Sequence, residues 1–315
     1  MSVDLAIVIL NYRTAELTIA CLASLEREVE PDLRVVVVDN ASGDGSAEKI
    51  ERAVVDRGWS AWASVLRSPV NGGFAAGNNL GIRSVDARAY VLLNSDTVVQ
   101  PGAMRALRDA MRQRPDAGLI GAGLLRESGG PDDSFFRIPG PISELVRGAN
   151  TGPVTRLLER FSVTLPATEH PMEPGWVGFA CVLVRREVIE AAGLLDEGFF
   201  MYFEDVDYCR RARAAGWKVL YWPQAKVIHL LGGSSQVTQQ QRLNRRAPRY
   251  YYQARARYFA RFYGRPGLWA ANCLWYLGRL VCWPRELLGR PPSHRQREAL
   301  DIWIDALRPP AGPLP

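Results

Sequence analysis

A mostly parallel α/β sheet flanked by helices, followed by a helical extension, is the fold this sequence predicts, on three observations. Short apolar runs alternate with amphipathic stretches through the first hundred residues, the pattern of strands covered on both faces by helices. Each run ends in a polar turn: Asn11-Tyr12, Asp39-Asn40, Asn71-Gly72-Gly73 and Asn94-Ser95-Asp96. From about residue 241 the texture changes to Arg and aromatic side chains at helical spacing, which sets residues 241–315 apart from a domain spanning 1–240.

Taken in order, Leu5–Leu10, Val35–Val38, Ala63–Leu66 and Tyr90–Leu93 read as buried strands, with helices near 15–28, 75–85 and 101–113. Pro101 suits the first turn of the last helix, where a missing N–H costs nothing. Residues 126–172, rich in Gly, Pro, Ser and charge, predict an irregular excursion. Trp176–Arg185 is again strand-like and leads into a short helix. A further helix opens at the acidic residues near 204, where Val206, Cys209 and Ala212 recur at helical spacing and Gly216 supplies a stop. Strands follow at Lys218–Trp222 and Lys226–His229, and residues 308–315 read as a frayed end.

At 315 residues, with 47% hydrophobic and 23% charged content, the chain can bury one large core or two smaller ones. Its five cysteines form no C-x-x-C pair, which predicts reduced thiols in a cytoplasmic protein rather than a disulfide frame or structural zinc. The N-terminal apolar run has no basic residues before it and stops at Asn11, too short for a signal peptide or a membrane span. The net charge of +6 is local: residues 241–265 hold eight arginines and no acid, and without those eight the chain is net −2. Such a concentration points to a partner met by one segment.

The four polar turns fall at the carboxyl ends of parallel strands, where open α/β sheets bind ligands, and predict one groove built from four loops. Asp96 is presented into that groove, and a hard divalent cation takes few oxygens from protein when phosphates supply the rest. His229 ends a strand just before Leu-Leu-Gly-Gly-Ser-Ser, a turn suited to phosphate. It can share Mg²⁺ or Mn²⁺ with Asp96 if the fold joins them; otherwise the two are a turn residue and a hydrogen-bonded core histidine. The loop 71–79 is not G-x-G-x-x-G and does not follow the first strand, which argues against a dinucleotide site. Its glycines suit backbone approach to a ribose or base, with Asn71 and Asn78 as hydrogen-bonding groups. In 199–213 the carboxylates Glu204, Asp205 and Asp207 follow an aromatic run, a setting that suits a general base and equally a capped helix start.

Six segments appear in order: Ile-Leu-Asn-Tyr-Arg (9–13), Val-Val-Asp-Asn-Ala-Ser-Gly-Asp-Gly-Ser (37–46), the loop 71–79, Leu-Asn-Ser-Asp-Thr (93–97), Phe-Glu-Asp-Val-Asp-Tyr-Cys (203–209) and His-Leu-Leu-Gly-Gly-Ser-Ser (229–235). Together they resemble the family 2 inverting glycosyltransferases of the Rossmann-like GT-A fold, most closely the rhamnosyltransferase-like branch, over about three-quarters of the chain. The resemblance implies a nucleotide pocket at Tyr12, Asp39, Asn71, Gly73, Asn78 and Ser95. It implies a Mg²⁺ or Mn²⁺ ion on Asp96 and His229, a catalytic base at Asp205, and an acceptor site at Glu204, Trp176, Gly178 and Phe179. Two positions depart from the family pattern: Asn94 replaces the first carboxylate of D-x-D, and Phe179 stands where a small residue is frequent.

The expected activity is transfer of a sugar, such as L-rhamnose from dTDP-rhamnose, to a hydroxyl of a polyprenyl-linked glycan in surface polysaccharide synthesis. UDP-hexose and UDP-GlcNAc donors, and a noncatalytic nucleotide- or membrane-binding module, are the alternatives. Residues 241–283 combine Arg with Tyr250, Tyr251, Tyr252, Tyr258, Phe259, Phe262, Tyr263, Trp269, Trp275, Tyr276 and Trp283. That composition predicts an interfacial helix pair on the inner face of the cell membrane, with a helical cap packed through its aromatic face as the other reading. No nucleic-acid module accompanies it.

Overall fold

The computed structural model describes residues 3–230, 247–287 and 298–310. Their strands are β1 (Val3–Asn11), β2 (Leu33–Asp39), β3 (Ala63–Arg67), β4 (Ala87–Asn94), β5 (Thr97–Val99), β6 (Ala117–Leu125), β7 (Phe135–Phe136), β8 (Trp176–Val177), β9 (Cys181–Arg185) and β10 (Lys218–His229). The helices are α1 (Ala15–Leu25), α2 (Ser46–Asp56), α3 (Gly73–Ser84), α4 (Ala103–Gln113), α5 (Pro141–Ala149), α6 (Gly152–Leu157), α7 (Arg186–Ala192), α8 (Glu204–Ala214) and α9 (Arg249–Leu287), followed by a short helix, Glu298–Asp301. The described residues divide into two compact units, one drawn from 3–135, 166–197 and 204–230, the other from 136–165, 198–203 and the C-terminal residues 247–287 and 298–310. The boundary expected near 240, the Gly-Gly-Ser-Ser turn after Leu231, and Arg242, Arg245 and Arg246 lie outside the described residues.

The first unit is a mostly parallel α/β sheet in the order β3-β2-β1-β4-β9-β6-β10-β5. β1 pairs in parallel with β2 and β4, while β9 runs antiparallel between β4 and β6. Leu5, Ala6, Ile7, Val8 and Ile9 are fully buried, as a central strand with helices on both faces requires. The glycines of α3 serve this packing: a side chain on Gly77 would strike Leu10, and one on Gly81 would strike Val8. Gly77 and Gly81 thereby bring the helix onto β1.

Several expectations change in detail. Trp176–Arg185 is interrupted at residues 178–180 and forms two strands, β8 and β9. Lys218–Trp222 and Lys226–His229 form one strand instead of two, with its pairing to β6 shifted between Trp222 and Lys226, where Pro223 has no N–H to give the ladder. β6 and α2 were not anticipated, and the excursion 126–172 contains α5 and α6, each with Pro in its first turn.

In the second unit α9 is two helices broken at Gly264, whose φ of 68° is left-handed backbone that glycine adopts without cost. The arm before the break buries Tyr252, Tyr258 and Phe259, and with them Arg255 and Arg257. Arg255 meets Glu144 of α5 at 2.8 Å and donates to Asn272 at 2.7 Å, while Arg147 joins Glu144 at 2.8 Å and Glu298 at 2.6 Å. Burial raises the Glu144 carboxyl, but the charges of Arg147 and Arg255 outweigh it and hold the pKa at about 2. Tyr258 and Tyr263 both donate to the Pro139 carbonyl, at 2.8 and 2.9 Å. Arg255, Arg257 and the rings of Tyr252, Tyr258, Phe259 and Trp275 are therefore internal to this unit, whereas Arg249, Arg261 and Arg265 are exposed, and among the described residues no helix is long and apolar enough to cross a membrane.

Candidate active site

The loops at the carboxyl edge of the first unit's sheet are tied together by short polar side chains. Asn11, at the end of β1, donates to Asp39 Oδ1 at 2.7 Å and to Ser42 Oγ at 3.2 Å. Thr14 and Thr18 donate back to Asn11 Oδ1, and the Thr14 hydroxyl meets that of Ser95 at 3.1 Å. Asn40 donates to Asn71 Oδ1 at 2.9 Å and to the Gly73 carbonyl at 3.1 Å. The four polar turns thus meet at one edge, beside the point where strand order reverses between β1 and β4.

Within that edge, Asp39 is buried and its carboxylate also accepts from the Ser42 backbone at 3.1 Å and hydroxyl at 2.6 Å. Tyr12 is 39% exposed, and the Arg13 guanidinium lies over its ring. Asn78 is buried and donates to Phe74 within its own helix, so its amide serves α3 first. Gly73 opens α3 with a φ of 84°, a conformation that disfavours any side chain. The sequence placed Asn11 and Asn40 in the turns that build the groove without giving either a role of its own, and Thr14 and Ser42, three residues beyond the ends of β1 and β2, carried no signal.

Asp96 and His229, 133 residues apart in the sequence, come together because β10 pairs antiparallel with β5, setting His229 opposite Thr97. The Leu230 N–H closes the pairing on the Asp96 carbonyl at 2.8 Å, and His229 Nε2 lies 3.4 Å from Asp96 Oδ1. On the other side of the imidazole, Nδ1 is 3.8 Å from Asp132 Oδ2. Burial lowers the His229 pKa, but the two carboxylates outweigh it and raise it to about 9.

The pair suits a divalent cation. Neighbouring ligands of a six-coordinate ion with bonds of about 2.1 Å stand about 3 Å apart, close to the observed separation. A hard carboxylate and one imidazole also match the mixed oxygen and nitrogen preference of Mn²⁺, and Mg²⁺ accepts the same carboxylate. Among the described residues no cluster of three or more His, Cys, Asp or Glu is arranged to hold a metal, so the remaining ligands would come from phosphate and water.

The acidic segment opens α8 as expected. Asp205 is half-buried and accepts the Val206 N–H at 2.7 Å. Burial pushes its carboxyl up to about 7, against the lowering effect of the backbone hydrogen bonds. Glu204 is buried with no hydrogen-bond partner on Oε2 among the described residues, and burial with the neighbouring Asp205 charge raises its pKa well above the usual range. Asp207 is more than a first-turn charge: fully buried, it pairs with Arg211 at 2.8 Å, and Arg211 donates to the carbonyls of Ala192 and Leu194. Phe199 to Phe203 precede the helix, and Tyr202 and Phe203 hold left-handed backbone, with φ of 72° and 66°. Aromatic residues adopt that conformation at a cost of roughly 1–3 kcal/mol each. Within the second unit the rings of Tyr250, Tyr251 and Tyr258 pack against them.

α8 packs on β8, β6 and β10, which sets Trp176 and Val177 beside it. Gly178 donates its N–H to the Ser134 carbonyl at 2.9 Å. Phe179 is buried with its ring edge-on to Tyr208, so this large residue is accommodated by packing against α8. The Cys21 thiol, buried and pushed up to about 12, offers no nucleophile.

Comparison with known proteins agrees with this architecture. The model of the glycosyltransferase-like family 2 matches residues 3–257. The N-acetylglucosaminyl-diphospho-decaprenol L-rhamnosyltransferase of Mycobacterium tuberculosis is 31% identical over 224 residues, covering 66% of this chain and 70% of that protein. A low-salt glycan biosynthesis hexosyltransferase of Haloferax volcanii is 29% identical over 217 residues, 67% of this chain and 62% of that protein. Among solved structures, the mannosyltransferase PcManGT from Pyrobaculum calidifontis, in complex with GDP-Man and Mn²⁺, superposes with a TM-score of 0.53 at 14% identity, covering 97% of this chain and 86% of that one. With the sheet, the gathered loops and the family match in agreement, the chain belongs to glycosyltransferase family 2 and has the GT-A fold.

Proposed function

We propose that this glycosyltransferase moves L-rhamnose from dTDP-rhamnose, with inversion, onto a hydroxyl of a polyprenyl-linked glycan at the inner face of the membrane. The meeting of Asp96 and His229 carries the reading, since it supplies two cation ligands where a nucleoside diphosphate would lie. The L-rhamnosyltransferase relative supports L-rhamnose as the sugar and a lipid-linked acceptor. Tyr12, Asp39, Asn71, Gly73, Asn78 and Ser95 frame the nucleotide. Glu204, Trp176, Gly178 and Phe179 frame the acceptor. Asp96 and His229 would hold Mg²⁺ or Mn²⁺, which would supply charge neutralisation to the departing diphosphate.

Asp205 takes the proton of the acceptor hydroxyl as its oxygen bonds to the anomeric carbon, while the bond to the diphosphate breaks on the opposite face. A pKa of about 7 makes Asp205 a stronger base than an ordinary carboxylate yet leaves much of it ionised at neutral pH. Burial and the neighbouring Asp205 charge favour the protonated form of Glu204, the form that can donate a hydrogen bond to the acceptor without adding a second negative charge. The test is thermal shift with Mn²⁺ and a panel of dTDP- and UDP-sugars, followed by product analysis with a polyprenyl-diphospho-GlcNAc acceptor. Stabilisation by dTDP-rhamnose and a product of inverted anomeric configuration are expected; no shift with any donor would defeat the assignment.

Membrane contact, in this proposal, belongs to the later arm of α9. Trp269, Leu277, Leu280, Val281 and Trp283 are exposed there, and residues 241–283 contain no acidic side chain. Flotation with anionic and with neutral vesicles tests this. Leu280→Glu should release the protein from anionic vesicles, and equal binding by the variant would refute the placement.

A further inference from the structure

Sequence reading placed Asp132 in an irregular excursion and gave it no role, but its setting is specific. β6 ends at Leu125, and the chain turns back at once: the Arg126 N–H bonds the Gly130 carbonyl at 2.8 Å, the Gly129 N–H bonds Arg126 at 2.8 Å, and Leu125 bridges Pro131. The Asp132 N–H then closes onto the Leu124 carbonyl at 2.9 Å. Since Ile228 of β10 lies opposite Leu125 of β6, this turn delivers Asp132 to the flank of His229 away from Asp96. One carboxylate oxygen is engaged by Arg126 Nε at 3.4 Å, which leaves Oδ2 turned to His229 Nδ1.

We propose that Asp132 is a positioning residue for His229, holding one ring proton on Nδ1 so that Nε2, on releasing its own proton, ligates a divalent cation shared with Asp96. The proposal rests on the cation reading of Asp96 and His229. An imidazole between two carboxylates has one nitrogen for each, and a metal-bound nitrogen must be unprotonated. A carboxylate on the far nitrogen favours the tautomer whose N–H points at it, fixes the ring plane and raises the basicity of the ligating nitrogen. At 3.8 Å the contact is an ion-pair separation rather than a hydrogen bond, so it acts through charge or through one water. Asp132 is not offered as a third ligand, because it faces the nitrogen opposite the one that meets Asp96.

The experiment is a Mn²⁺ titration followed by electron paramagnetic resonance of the free ion, with UDP or dTDP present, on the wild-type protein and on Asp132→Ala, Asp132→Ser and Asp132→Asn. Nucleotide affinity without metal and the metal-free melting temperature are measured alongside. Asp132→Ala and Asp132→Ser should weaken Mn²⁺ binding about 10- to 100-fold, with metal-free nucleotide affinity unchanged. Asp132→Asn keeps an acceptor oxygen but not the charge, and its Mn²⁺ affinity should fall between those of the wild type and Asp132→Ala. Wild-type uptake with an unchanged Asp132→Ala curve overturns this proposal alone, as does equal loss of metal-free nucleotide affinity in that variant. A wild-type protein that takes up no Mn²⁺ with either nucleotide overturns the cation reading, and this one with it.

Discussion

Arg255 and Glu144, 111 residues apart in the sequence, form a buried ion pair 2.8 Å long that ties α9 to α5. Removing one partner leaves a desolvated charge on the other. Glu144→Ala should therefore cost about 3–5 kcal/mol, read by urea unfolding of the second unit. The pH dependence has a definite sign. The folded pKa is depressed to about 2, so the stability Glu144 contributes is present above its ordinary value near 4.5 and lost as pH falls toward 2. Acid unfolding as early in the wild type as in Glu144→Gln would contradict this.

Asp205→Asn should lower kcat by about 10²–10⁴-fold while nucleotide affinity, measured by calorimetry, stays within twofold. In the wild type, kcat/KM should fall as pH drops below about 7, because protonated Asp205 can accept no proton. A flat profile from pH 5 to 8 would remove Asp205 from the role of base.

The same two carboxyls set a stability trend opposite to that of Glu144. Glu204 and Asp205 have folded pKa values raised above their unfolded ones, so their relative stabilisation holds at low pH and is lost as pH rises through the folded values. Glu204→Gln with Asp205→Asn should be more stable than wild type at pH 8 by on the order of 1 kcal/mol or more, and this gain should vanish near pH 4. Chemical denaturation at the two pH values decides it.

Asp96→Ala and His229→Ala should each abolish the Mn²⁺-dependent part of the thermal shift produced by a nucleoside diphosphate. Chelation with EDTA should return the wild type to the same level. Persistence of the Mn²⁺ effect in both variants would place the ion elsewhere.

The buried strands β1, β2 and β4 were legible because each is an unbroken apolar run ended by a polar turn; β3 lies at the sheet edge, only Ala63 in it is buried, and Ser64 and Arg67 are exposed. β6 was not legible: Gly118, Gly121 and Gly123 dilute its strand signal, yet a side chain on Gly121 would strike Val177 and one on Gly123 would meet Pro223. The glycines that hide the strand in the sequence are what its neighbours require. Asp96 and His229 could each be singled out, but their meeting depends on the β5 and β10 pairing, a contact between distant segments that no local pattern encodes. Asp132 carried no signal at all, since its placement comes from a turn. The eight arginines of 241–265 were read as outward charge, whereas Arg255 and Arg257 are buried, because their partners Glu144 and the Pro310 carbonyl lie far away in sequence.

The second unit draws on three separate stretches of chain, and Glu144, Phe199 and Tyr258 come one from each. Its C-terminal part is consequently no interchangeable appendage. A lineage that lost residues after 240 would leave Glu144 and Arg147 without Arg255 and Glu298, and the left-handed Tyr202 and Phe203 without the tyrosine rings that pack on them. Acquisition or loss of this extension should then be accompanied by change in 136–165 and 198–203, so that three distant parts of the gene form one unit of inheritance.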